Sequence, residues 1–240
     1  MDAKLITELL RDYDVIDLSH TLEEGIPTFP RPTPYSHSLF ESYWHGDTAA
    51  SYEILMNEHT GTHMDAPAHF MRPGHPAHVW VDELPATCLM GRGAMIDVSD
   101  TPPKTTFGLS VLKEFEQQQG PIEEGDIVLF RTGWDLKWKL NPEFGPFLHD
   151  WPGPSREVAE ALVQRRVKAV GIDVTALDAY GNTELPCHNI LLGNRIPLIE
   201  NVANLYQLPP FSIFIAMPLK IKGGSGSPLR PLAFVPKAAV

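Results

Sequence analysis

Six short apolar runs punctuate the chain: Val15–Leu18, Tyr52–Met56, Ala94–Val98, Ile127–Arg131, Ala169–Val174 and Ile213–Met217. Each is rich in β-branched side chains and bounded by Gly, Asp or Pro, the pattern of a strand. Two stretches follow the helical period instead. From Ser155 to about Val167, the residues Val158, Leu162 and Val163 make an apolar stripe. Ser155 is placed to cap that helix, Glu157 supplies early negative charge, and Arg165-Arg166 complements the dipole at its end. The second helix covers Ser110–Gln118 and turns Val111, Leu112 and Phe115 inward. Strands outnumber helices without regular alternation, so the predicted class is α/β with a strand-rich core, not a doubly wound sheet. Asp126–Thr132 reads as a buried strand leading into an aromatic segment that carries Trp134, Trp138, Phe144, Phe147 and Trp151. That segment is expected either to pack on the body or on a second subunit, or to cover a substrate as a lid.

Composition narrows the setting. At 240 residues, with no internal repeat or convincing boundary, the chain is expected to form a single domain over 1–240 with a sizeable core. A net charge of -11 argues against nucleic acid or anionic membrane as partner. No run approaches the length of a membrane span, and Met1-Asp2-Ala3-Lys4-Leu5 lacks the apolar core of a signal peptide. Cys88 and Cys187 are too few and too far apart to imply a disulfide framework, so a cytoplasmic location is expected. The 23 prolines cluster in stretches such as Ile26–Pro34 and Pro142–Pro154, which read as rigid loops around a framework.

The chemistry concentrates in His59-Thr60-Gly61-Thr62-His63-Met64-Asp65-Ala66-Pro67-Ala68-His69-Phe70. Gly61, the threonines and Pro67 disfavour a helix here. In an extended chain residues 59, 61, 63, 65 and 69 share a face, so three imidazoles and a carboxylate converge. That donor set suits Zn²⁺, Mn²⁺ or Fe²⁺. Burying several titratable groups without a partner is costly, which favours a metal site over ordinary core histidines.

The motif H-x-G-T-H-x-D-x-P-x-H-F at His59–Phe70 resembles that of the metal-dependent cyclase-family hydrolases, which include bacterial-type kynurenine formamidases and isatin hydrolase. Supporting stretches are Asp17-Leu18-Ser19-His20, Gly171-Ile172-Asp173, His188 with Glu200, and Gly223-Gly224-Ser225-Gly226-Ser227-Pro228, so the likeness runs from about residue 15 to 233. The resemblance implies a swivelling β/β/α fold, usually in homodimers or homotetramers. It implies His59, His63 and Asp65 as ligands of one divalent ion, Zn²⁺ or Mn²⁺, and His188 and Glu200 as completing a second site across Asp65. It makes His69 the acid/base. Two departures turn the expectation toward the isatin-hydrolase side. Phe29 stands where the formamidases carry a tryptophan, and extra sequence surrounds Trp134–Trp151. The expected reaction is hydrolysis of a carbonyl–heteroatom bond in a small amide, lactam or ester, with Phe29, Phe70 and Trp80 as candidate aromatic walls. N-formylkynurenine hydrolysis is the alternative.

Other chemistries fit less well. Ser225 lies in a G-x-S-x-G frame that fails at Ser227, with Pro228 where a nucleophile elbow needs a helix. Cys187 beside His188 is sequence adjacency, not the spatial pairing a thiol nucleophile needs. A two-His, one-carboxylate iron oxygenase built on His63, Asp65 and His188 leaves His59, His69 and Glu200 without a role. A structural metal site would be expected to recruit cysteine.

Overall fold

The computed structural model describes residues 4, 7, 11–29 and 33–237. Residues 30–32 of the predicted proline-rich loop, and most of the N-terminal segment read for a leader, lie outside the described residues.

Thirteen strands form among the described residues. They are β1 (Tyr13–Asp17), β2 (Ser36–Glu41), β3 (Ser51–Leu55), β4 (His63–Asp65), β5 (Met90–Asp97), β6 (Thr106–Phe107), β7 (Ile127–Arg131), β8 (Gly153–Pro154), β9 (Ala169–Ile172), β10 (Leu198–Glu200), β11 (Phe211–Ile215), β12 (Gly226–Pro228) and β13 (Leu232–Pro236). Nine of them pair in one sheet, in the order β1-β13-β11-β5-β7-β9-β10-β4-β12. The middle strands β5, β7, β9 and β10 run parallel, and the flanking pairings on both sides are antiparallel. All six predicted strands are present within a few residues of their expected bounds. The fold is mixed α/β and strand-rich, as the sequence pattern indicates.

Both faces of the central strands are covered, which explains why β7 is a continuous apolar run. Ile127 and Leu129 join one core cluster with Met64, Ile199 and Phe214. Val128 and Phe130 point the other way, into a cluster with Val170, Ile172 and Leu198. Three helices described in full, α1 (Ser110–Gln119), α2 (Arg156–Gln164) and α3 (Pro186–Gly193), pack on that second face through Leu112, Phe115, Val158, Leu162 and Leu191. Helix α2 ends as its sequence foretells. Arg165 donates from Nη1 to the Ala161 carbonyl at 3.0 Å and grips Glu116 of α1 through Nε and Nη2, each at 2.7 Å. Its start differs from expectation: Ser155 holds the cap position with extended backbone, yet its hydroxyl takes no N–H from the first turn.

The aromatic segment after β7 packs on the body. Trp134 Nε1 donates to the Phe147 carbonyl at 3.0 Å, Trp151 Nε1 donates to the Asp178 carbonyl at 2.9 Å, and Phe147 is fully buried. Trp138 stacks on His20 with ring centroids 3.9 Å apart.

Just beyond β9, Asp173 is fully buried and anchors the turn that follows β7. Its carboxyl accepts from Thr132 N at 2.9 and 3.0 Å, Thr132 Oγ1 at 2.6 Å and Gly133 N at 2.7 Å. Burial pushes this carboxyl up to about 7 against the pull of those donors. Asp173→Ala leaves two buried N–H groups without an acceptor and is expected to cost about 3–5 kcal/mol in urea denaturation. Asp173→Asn keeps one acceptor oxygen and should cost clearly less; equal costs would show that the hydrogen bonds are not what Asp173 contributes.

Candidate metal centre

Strand alternation and register assemble the centre. His63 and Asp65 are two residues apart on β4, so they share a face, while Met64 between them is fully buried in the core. Strand β10 pairs antiparallel with β4 and sets Glu200 directly opposite His63. Directly opposed residues share a face, so Glu200 joins the same group while Ile199 turns to the core with Met64. His188, in the first turn of α3, reaches the same group through Glu200. His63, Asp65, His188 and Glu200 are all at most 4% exposed.

Each inner imidazole has its outer nitrogen tied down. His63 Nδ1 donates to the Gly61 carbonyl at 2.9 Å, which Gly61 presents by taking φ +64. His188 Nδ1 meets Asp178 Oδ2 at 2.6 Å. The Nε2 atoms then face inward. His63 Nε2 lies 3.5 Å from Asp65 Oδ1 and 3.6 Å from Glu200 Oε2. His188 Nε2 lies 3.2 Å from Glu200 Oε1 and 3.8 Å from Asp65 Oδ2. Three of these four separations exceed a good hydrogen bond, yet they suit donors ranged around a common cation. Two groups of donor atoms, each within 4.8 Å of one another, share Asp65: His59 with Asp65 and His69, and His63 with Asp65 and Glu200. A set of imidazoles and carboxylates, oriented by acceptors behind them, fits a divalent metal.

The electrostatics agree. Burial alone would raise Asp65, but the hydrogen bond from His59 and the imidazoles around it hold its carboxyl well below the usual carboxylate range. Burial opposes charge on His188, but Asp178 and Glu200 outweigh it and push that imidazole up to about 10. His69 goes the other way. Enclosure of its ring, together with the neighbouring imidazoles, lowers it to about 4 against the pull of Asp65, although its outer edge is open to solvent.

The extended reading of the motif holds only for His63–Asp65. His59 sits in a turn before Gly61, and His69 lies in the 3₁₀ turn Pro67–His69, because Gly61 takes a left-handed φ and Pro67 opens a turn. Both still reach the centre: His59 Nδ1 is 2.7 Å from Asp65 Oδ1, and the His59 and His69 rings are 4.1 Å apart. Glu200 is the last residue of β10. Phe29 and Phe70 line a cavity of about 380 Å³ beside these groups, and Phe70 stacks on His188 at 4.8 Å. Trp80 is not among the lining residues. Its backbone N–H bonds Glu83 at the start of the turn Val81–Glu83, and its ring packs on His78. No residue of the 134–151 segment lines the cavity. A larger cavity, about 670 Å³, lies beside Arg166, Lys168 and Arg195, but no donor cluster opens into it. Asp178 and Ser225 contact ligand candidates, and Glu58 holds Ser225 from behind; nothing in the sequence gives any of the three a role there. Asp178 is ten residues from His188 with nothing in the spacing to mark it.

A strand-rich α/β sheet with two acids and four imidazoles gathered at one cavity fits the class of metal-dependent hydrolases. The chain belongs to the cyclase family, whose model, described as a putative cyclase, matches residues 16–179. It is 31% identical to isatin hydrolase of Roseibium aggregatum over 99% of this chain and 97% of that one. It is 30% identical to kynurenine formamidase of Bacillus cereus over 90% and 94%. The solved structure of isatin hydrolase A from Labrenzia aggregata bound to benzyl benzoate superposes with a TM-score of 0.88, at 31% identity and over 98% of each chain. No helix among the described residues is long and apolar enough to cross a membrane.

Proposed function

We propose that this hydrolase cleaves the carbonyl–nitrogen bond of a small cyclic amide, as a single domain holding one or two Zn²⁺ or Mn²⁺ ions. The observation that carries the reading is the convergence of two fixed imidazole nitrogens, His63 Nε2 and His188 Nε2, on the shared carboxylates Asp65 and Glu200. His59, His63 and Asp65 would hold one ion, and His188 and Glu200 would help to hold a second. A bound divalent ion acidifies a water and polarises a carbonyl. The remaining work falls to the protein. Phe29 and Phe70 flank a flat ring at the cavity. His69, at the cavity and neutral at pH 7, accepts the proton released by the attacking water and returns it to the departing nitrogen. Asp178 keeps His188 in one tautomer throughout.

Isatin-like lactams are the preferred substrates in this reading, because Phe29 takes the place of the formamidase tryptophan and the more similar of the two relatives compared is an isatin hydrolase. Anaerobic steady-state kinetics on isatin and N-formylkynurenine test it. A much higher kcat/KM for the formamide reverses the ranking, and strict oxygen dependence removes the hydrolase reading. Phe29→Ala should raise KM or change substrate preference by roughly tenfold with metal content unchanged, since Phe29 is a wall and not a ligand. We also propose a homodimer or homotetramer. The β2–β3 arm leaves Phe40 at 66% and Trp44 at 89% exposed, a surface that a second copy would cover.

A further inference from the structure

His59 has both of its ring nitrogens engaged by side chains, one of them a hydroxyl. Nδ1 is 2.7 Å from Asp65 Oδ1, and Nε2 is 3.0 Å from Ser225 Oγ. Taken alone, Ser225, His59 and Asp65 have the connectivity of a nucleophilic triad. Glu58 changes that reading. Its Oε2 accepts from Ser225 N at 2.8 Å and from Ser225 Oγ at 2.9 Å. A hydroxyl has one proton, and here Glu58 takes it. The Ser225 oxygen can therefore only accept from His59, so Nε2 of His59 carries a proton; Nδ1, which donates to Asp65 here, is the nitrogen that would give up its proton to a bound ion. Ser225 is also absent from the residues lining the cavity, where a nucleophile would have to stand.

We propose that Glu58 and Ser225 are a positioning pair that fixes the tautomer of His59, keeping the proton on Nε2 and presenting Nδ1 to the metal centre. This rests on the metal reading above. It gives the glycine-rich stretch near the C-terminus a function. Strand β12 pairs with β4 so that Gly226 lies opposite Asp65, which delivers Ser225 to the far side of the His59 ring. A side chain at Gly226 would put its Cβ 2.5 Å from His59 Cε1 and 2.7 Å from the Met64 carbonyl, so only glycine allows this approach. The loop is tied in by two further bonds, Val81 N to the Gly224 carbonyl and Ala66 N to the Ser225 carbonyl, each 2.9 Å. The pair does for His59 what the Gly61 carbonyl does for His63 and Asp178 does for His188. Each imidazole is given an acceptor behind it, and each acceptor comes from a different segment of the chain.

The test uses the full chain with Zn²⁺ as probe. Affinity is measured by competition with a chromogenic chelator, and ring protonation by long-range ¹H–¹⁵N NMR of the histidines. Zn²⁺-loaded wild type should show His59 protonated at Nε2. Ser225→Ala should weaken Zn²⁺ binding roughly tenfold to a hundredfold, the range for losing a group that orients a ligand, and should mix the His59 tautomers while the His63 and His188 signals stay in place. Glu58→Ala releases the Ser225 proton toward His59 Nε2 and should shift the tautomer balance further. Unchanged Zn²⁺ affinity and an unchanged His59 signal in both variants would overturn the pairing, as would loss of turnover with affinity intact, which is the nucleophile's signature. If a variant does not fold, wild type alone decides: His59 protonated at Nδ1 in the Zn²⁺-loaded protein overturns the proposal. Wild type that binds no Zn²⁺ or Mn²⁺ at all overturns the metal reading itself, a result distinct from all of these.

Discussion

Asp65→Ala should abolish turnover, with kcat/KM lower by at least about a thousandfold, and the purified protein should lose its metal. The magnitude follows from what a bound ion contributes, several kcal/mol of charge stabilisation, at about 1.4 kcal/mol per factor of ten. Asp65 is singular because both groups of donor atoms include it. Removing it leaves His59, His63 and His188 without the carboxylate they converge on. Asp65→Asn keeps the volume and one acceptor oxygen but removes the charge, so it should also lose metal while retaining most of the stability. Elemental analysis per chain, alongside kcat/KM for isatin, checks both. An Asp65→Ala protein with full metal content would place the ion elsewhere.

His69→Ala should separate chemistry from binding. The expected result is a fall in kcat of about a hundredfold to ten-thousandfold, the usual contribution of a positioned acid or base, with metal content largely kept. His69 stands at the rim of the donor cluster with its ring partly open to solvent, whereas the ligands proposed around it are buried or half-buried. Its depressed pKa leaves it neutral, and so able to accept a proton, at pH 7. The geometry also makes the opposite outcome meaningful, because a His69 nitrogen lies within 4.8 Å of donor atoms of His59 and Asp65. If His69→Ala loses metal as completely as Asp65→Ala, His69 is a ligand and the proton moves by another route.

Much of this arrangement was legible in the sequence, for physical reasons that can be stated. Period-two alternation in His63-Met64-Asp65 predicts two donors on one face and a core residue on the other, and β4 has that form. Continuous apolar runs such as Ile127–Arg131 mark strands covered on both faces, and β7 is one. What was not legible depends on contacts distant in sequence. Register between β4 and β10 brings Glu200 opposite His63, a residue 137 positions earlier in the chain, and no local pattern encodes a register. Resemblance alone pointed to His188 and Glu200. Helix α3 is short and begins after Leu185 in a left-handed conformation, so it lacks the usual start signal. An aromatic ring near the motif makes Trp80 a candidate pocket wall, but its direction is set by the turn that begins at its own backbone. Ser225 was weighed as a nucleophile and set aside for its turn geometry; the partner that gives it a different role, Glu58, lies 167 residues away.

Anomalous diffraction from crystals grown with Zn²⁺ or Mn²⁺ tests the central claim most directly. The account predicts an ion coordinated by His59, His63 and Asp65, with His188 and Glu200 turned toward the same centre or holding a second ion across Asp65. An anomalous peak elsewhere on the protein, with these five side chains bound only to one another, would contradict it.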